Sequence, residues 1–259
     1  MNRRRPVVTR WFPILVPVLA LMLLASAPAM AGEFVINPLR VNLDRSTRAS
    51  EVLVRNDDKV PLRMQVEAMI WSQGGEGPDQ YVPAEGILYF PRTMEIAPGE
   101  SRVVRVGVRA APVTREEAYR LFIEELPPAP VAGDEAQGTS LRVFLRVGVA
   151  VFVAPAQPQR AGEITRLDLK GRQVEWVVAN KGNVHFRADQ VELVGSAKDG
   201  TRLFVQPFQE RYFLAGVTRT LRFDIAPEIC GRLAKLDVVV VADRLDLKRS
   251  LDVPPGACK

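Results

Sequence analysis

SLRVFLRVGVAVFVAP, residues 140–155, alternates from end to end. Its odd positions are Leu141, Val143, Leu145, Val147, Val149 and Val151; its even positions are Arg142, Phe144, Arg146, Gly148, Ala150 and Phe152. A period of two is the signature of a β-strand with unlike faces, here one aliphatic and one mixed. At roughly 3.3 Å per residue the run would span about 50 Å, against about 20 Å for an ordinary strand. Either a bulge near Gly148 breaks it, or it projects beyond its own sheet. An exposed strand edge is normally blunted by charge, bulges or proline. Here arginines interrupt one face only. The aliphatic face is covered either by its own sandwich or by a partner chain that pairs with the strand.

The surrounding sequence is written in the same style. Strand-like runs cover residues 34–43, 49–55, 62–71, 86–90, 93–96, 102–108 and 118–126. Turn-prone clusters such as Asn56-Asp57-Asp58 and Ala97-Pro98-Gly99-Glu100 separate them, and PPAPVAGDEAQGT (residues 127–139) is a flexible loop before the quoted run. This spacing predicts an all-β sandwich. PAQPQRAG (residues 155–162) is a proline-rich linker. Runs at 164–169, 173–179, 187–194, 203–205, 218–225, 236–241 and 245–253 then predict a second, smaller sandwich. The expected division is a leader over 1–31, a first domain over 32–155, a linker over 156–162 and a second domain over 163–259. The halves share a style, but no residue-level repeat between them is visible.

Arg3, Arg4, Arg5 and Arg10 precede a stretch, residues 12–24, that is apolar apart from two prolines, and Ala29-Met30-Ala31 offers small residues before a cut. This is the pattern of a secretory signal peptide cleaved after Ala31. Its apolar core falls short of the ~20 residues a membrane span needs, so no stable membrane insertion is expected. The whole chain carries a formal charge of +5, and four of those cations are the leader arginines, leaving +1 on the exported part. With no basic tract interleaved with aromatics, nucleic acid is not an expected partner. The two cysteines, Cys230 and Cys258, are expected to pair in an oxidising compartment, tying a late strand to the terminal segment.

Catalytic chemistry finds little support. The one histidine, His185 in NKGNVHF, has no serine or cysteine nucleophile and no acid at a familiar spacing, and reads as a structural strand residue. HExxH, Cys-x-x-Cys, Walker and dinucleotide-binding patterns are all missing, and a disulfide leaves no thiolate for a metal. The sequence reads as a binding protein with no cofactor and no metal.

Four stretches in order carry a resemblance to a known family. They are PLRVNLDRSTRASEVLVRNDD (38–58), YFPRTMEIAPGESRVVRV (89–106), TREEAYRLFIEELPP (114–128) and the quoted run ending in VFVAP. Together, after a signal peptide, they resemble the periplasmic pilus (fimbrial) chaperones of the chaperone–usher pathway, clearly over about residues 33–155 and mainly in architecture beyond. The resemblance implies a boomerang of two immunoglobulin-like β-sandwich domains. It also implies a cleft where two basic residues anchor the C-terminal carboxylate of a fibre subunit.

One anchor falls at Arg40, whose guanidinium suits bidentate capture of a carboxylate. The other falls at Ala150, which cannot serve; Arg146 and Arg142 share its side of the strand, and Arg146 is the expected substitute. The family's interdomain acid falls at Glu116, whose arginine partner would be Ala154. Glu116 also fits a capping box in Thr114-Arg115-Glu116-Glu117. The family's groove-filling row falls on Leu141, Val143 and Leu145, with Val147 continuing it. The implied function is a non-enzymatic periplasmic chaperone that lends a strand to pilus subunits and passes them to an outer-membrane usher. A structural or adhesive surface protein of two sandwiches is the alternative, and would want a longer donor-like N-terminal extension than the exported chain offers. A periplasmic hydrolase would want the nucleophile and base the sequence lacks.

Overall fold

A computed structural model describes residues 33–109, 113–127 and 143–258. The leader read over 1–31, most of the loop read over 127–139, and Leu141 and Arg142 lie outside the described residues. In the first domain the strands are β1 (Phe34–Asn37), β2 (Arg40–Leu43), β3 (Ala49–Asn56), β4 (Leu62–Ser72), β5 (Gln80–Pro83), β6 (Ile87–Phe90), β7 (Thr93–Ile96), β8 (Ser101–Val108), β9 (Glu117–Glu125) and β10 (Arg146–Val153). One sheet has the order β1-β3-β8-β6; the other has β2-β10-β9-β4-β5, with β7 also on β4. Alternation drives their packing. In β3 the inward positions Val52, Val54 and Asn56 are fully buried, and Val104, Leu121, Ile123, Val149 and Val151 meet them from the other strands. Each such aliphatic contributes about 1.5–3 kcal/mol by leaving water.

Two expectations are corrected here. The run over 34–43 is two strands, not one. Pro38 has no N–H for a ladder, and the chain changes sheets there: β1 runs antiparallel to β3, whereas β2 runs parallel to β10. The strand in the quoted run begins at Arg146, and its pairing with β9 passes through Gly148 without a register shift. The glycine marks a close approach, not a bulge: a Cβ there would meet the Phe122 ring at 3.1 Å.

The second domain contains β11 (Gly162–Lys170), β12 (Gln173–Asn180), β13 (Phe186–Ser196), β14 (Arg202–Pro207), β15 (Tyr212–Phe213), β16 (Thr218–Asp224), the single helical turn α1 (Pro227–Cys230), β17 (Lys235–Ala242) and β18 (Leu245–Asp252). The sheet β11-β12-β16 faces β14-β13-β17-β18, with β15 on β13. Trp176 lies at the centre, fully buried, with the Phe208 ring edge-on at 4.7 Å. Cys230 at the end of α1 is joined to Cys258 by a disulfide.

A residue-level repeat does exist, at one corner of each domain. Asn56 ends β3 and Asn180 ends β12, and both are buried. Asn56 Nδ2 donates to the carbonyls of Val60 and Ile96, and its Oδ1 accepts from the Asp58 N–H. Asn180 Nδ2 donates to the carbonyls of Val184 and Phe213, and its Oδ1 accepts from the Gly182 N–H. The bonding pattern and the two local offsets coincide; only the distance to the far carbonyl, 40 positions against 33, differs. Such a side chain satisfies the buried carbonyls that a strand leaves when it turns across a sandwich.

Candidate functional site

The first feature is an open edge. On one side β10 pairs with β9 along its whole length; on the other, β2 covers only Ala150–Val153. The Ala150 N–H donates to Leu39 O and the Ala154 N–H to Leu43 O, so even-numbered amides point toward β2. By the same alternation the amides of Arg146 and Gly148 point to that side, ahead of where β2 begins. Just before them Val143, Phe144 and Leu145 are exposed, Val143 by 55%. Val147 behaves differently, being half-buried against the core of its own sandwich. Of the described members of the aliphatic row, Val143 and Leu145 therefore face solvent.

Arg40 stands where the open edge ends. It is opposite Ala150 in the parallel ladder, exposed, and in no ion pair among the described residues. Arg146, the sequence-based substitute for the second anchor, is already engaged: it bridges Glu67 at 3.4 Å and Glu124 at 3.3 Å and lies 4.0 Å over the Phe122 ring. Two carboxylates neutralise it, which weakens it as an anchor for a third.

Between the domains, β10 and β4 present Phe152 and Trp71 to Tyr212 and Leu214 of the second domain. Arg120 lies 3.8 Å over the Trp71 ring and donates to Gly148 O. Its aliphatic stem and guanidinium cover the glycine. Glu116 is not in a helical turn; the chain from 113 to 116 is irregular and leads into β9. Its carboxylate accepts the His185 backbone N–H at 2.9 Å and meets His185 Nδ1 at 2.6 Å. The imidazole stacks on Phe152 with ring centroids 3.6 Å apart. Glu116 is thus an interdomain acid whose partner is His185 and not Ala154. The pairing was invisible in sequence because the two lie 69 positions apart; the one available signal was that His185 stands just past the corner at Asn180.

A second set of contacts spans the domains. The β4–β5 loop offers Gly74 O and Gly77 O to the buried Arg219 and Gly75 O to the Thr220 N–H. Glu76 forms a bidentate pair with Arg222 at 2.7 and 2.8 Å. The Arg222 guanidinium holds the Glu76 carboxyl below its usual range. Gln73 donates to Tyr212 O and accepts from the Leu214 N–H. The sequence singled out none of these residues. Beside them, a cavity of about 660 Å³ opens between the domains. No group of side chains suited to hold a metal ion is found among the described residues, and no described helix is long and apolar enough to cross a membrane.

Residues 33–159 match the family model described as "Pili and flagellar-assembly chaperone, PapD N-terminal domain". Among solved structures, the Salmonella enterica SafA pilin–SafB chaperone complex is similar at 15% identity and TM-score 0.57, over 87% of this chain and 99% of that one. The CsuC–CsuE chaperone–adhesin complex of Acinetobacter baumannii gives 17% and 0.56, over 84% and 97%. The CupB2 chaperone of Pseudomonas aeruginosa gives 20% and 0.50, over 85% and 100%. A comparison with curated proteins returns no match. The fold is the two-domain immunoglobulin-like architecture of these chaperones. Residues 33–159 belong to the family of pili and flagellar-assembly chaperones, and the chain as a whole has the two-domain fold of the solved pilus chaperones.

Proposed function

We propose that the protein holds fibre subunits in the periplasm by lending them a strand, and hands them to an outer-membrane usher. The leader read over 1–31 supplies export, and the division into 32–155, 156–162 and 163–259 supplies the two lobes of the binding surface. The observation that carries the reading is the edge of β10, left uncovered by β2 ahead of Ala150 and preceded by exposed Val143, Phe144 and Leu145. A subunit strand laid on that edge in line with β2 runs parallel to β10, and its C-terminus arrives at Arg40. The terminal carboxylate then meets a guanidinium with no other ion-pair partner among the described residues, a charge-assisted contact.

Leu141, Val143 and Leu145 enter the subunit's groove, with Val147 at the base of the row. Each side chain transferred from water contributes about 1.5–3 kcal/mol, and the backbone ladder adds direction. The chaperone and its neighbours share fold and family, and two of those neighbours are complexes with a pilin or an adhesin. The test is co-expression with a subunit after Leu141, Val143 and Leu145 are all changed to Ser. The chaperone stays folded by circular dichroism and recovers no subunit; unchanged recovery refutes strand lending.

A further inference from the structure

We infer that the second cation of the carboxylate site is Arg160, supplied from the segment between the domains, and not a residue of β10. This rests on the strand-lending reading and identifies how that site is completed where Ala150 offers no charge. Arg40 and Asn42 of β2, Arg160, and His185, Arg187 and Asp243 of the second domain line one cavity of about 190 Å³. That is room for a carboxylate and its first few neighbouring atoms.

The charges facing the cavity are unequal. Arg40 and Arg160 form no ion pair or side-chain hydrogen bond among the described residues, whereas Arg187 is held by Asp189 at 2.6 Å. Asp243 is the one carboxylate in the lining, and among the described residues it pairs only with Arg244, at 3.9 Å. His185 is turned to Glu116 through Nδ1. Two uncommitted guanidinium groups therefore approach from opposite domains, one at the end of the open edge and one across the gap.

The backbone at Arg160 is also held in place. Its neighbours are bonded to the β12–β13 corner: the Gln159 N–H donates to Asn183 Oδ1 at 2.6 Å, and Ala161 O accepts from the Lys181 and Gly182 N–H groups. A Cβ on Gly182 would fall 3.2 Å from the Arg160 Cα, so the corner lies directly against this segment. The linker is thus held to the second domain, which keeps the Arg160 backbone beside the cavity that Arg40 also lines. A carboxylate bound between them joins the domains, making the anchor a contact across the gap.

The test uses the full exported chain and an alternating Val–Thr peptide made twice, once with a free C-terminal carboxylate and once as the amide, titrated calorimetrically. The native chaperone binds the acid about tenfold more tightly than the amide, the value of one charge-assisted contact. Arg40→Ala and Arg160→Ala each bring the ratio close to one, while Arg146→Ala leaves it near tenfold. All three positions are exposed, and circular dichroism checks that the variants fold. A tenfold ratio retained in Arg160→Ala, or lost in Arg146→Ala, overturns the assignment while leaving strand lending intact. Failure of both peptides to bind the native chain refutes strand lending, and this inference falls with it.

Discussion

The corners at Asn56 and Asn180 are built alike and used differently. In the first domain the corner faces water: Asp57, Asp58 and Lys59 carry charge, and Val60 is 57% exposed. In the second domain the equivalent turn, Lys181 to Val184, is pressed against the other lobe. Asn183 O accepts from the Glu116 N–H, Asn183 Nδ2 donates to the carbonyls of Thr114 and Gln157, and His185 stacks on Phe152. An immunoglobulin-like corner is a rigid, satisfied turn with spare polar groups at its tip. One copy spends those groups on solvent; the other uses them to fix the angle between domains and hold the linker that carries Arg160.

The comparison breaks most severely at the surface the second corner rests on. Phe152→Ala removes a fully buried ring shared by His185, Trp71 and Tyr212. Large-to-small changes of this kind cost about 3–5 kcal/mol. In denaturant the domains should then unfold in two separate transitions, against one coupled transition expected of the native chain.

Next come the corners themselves. Asn180→Ala and Asn56→Ala each orphan two carbonyls and one amide, with an expected loss of about 2–3 kcal/mol apiece. Urea titration checks both. Only Asn180→Ala is expected to loosen the lobes as well, seen as a larger radius in solution scattering.

Glu116→Gln keeps shape but weakens the contact with His185, at a cost of about 1 kcal/mol, and leaves Asn180 untouched. The smallest effect belongs to the exposed Glu76–Arg222 pair. The Glu76 pKa is lowered in the folded protein, so its contribution is present above the ordinary carboxylate range, whose reference is 4.5, and is lost as pH falls through the lowered value. Proteolysis of the 74–79 loop, measured from neutral pH downward with an acid-tolerant protease, should accelerate only in that acid window. Salt-screened exposed pairs rarely contribute more.

Alternation made β3, β4, β8 and β12 legible to within a residue or two, because one face of each strand is buried and the other wet. It could not show where pairing starts. Residues 140–145 alternate as well as 146–153, yet the strand starts only where β9 supplies a partner, and its second edge is covered only as far as β2 reaches, β2 being short because Pro38 diverts the chain to the other sheet. Arg40 was singled out only through the family motif, whereas the disulfide was legible through compartment and cysteine count. His185 and Arg160 were not legible as site residues. His185 meets Glu116 only in the folded chain, and Arg160 comes to line one cavity with Arg40 only there; no local pattern encodes a neighbour so distant in the chain. Ala150 is clearer in the structure than in sequence: Trp71, Phe152 and Leu214 bury it, leaving no open space above it for an anchoring side chain.

Amide exchange at the open edge tests the central claim most directly. The N–H groups of Arg146 and Gly148 point away from β9 on the side β2 does not cover, whereas those of Val147 and Val149 already face β9. Residue-resolved exchange by NMR, with and without a bound subunit, should show strong new protection at Arg146 and Gly148 and little change at Val147 and Val149. A stable complex in which Arg146 and Gly148 exchange as fast as in the free protein would contradict strand lending.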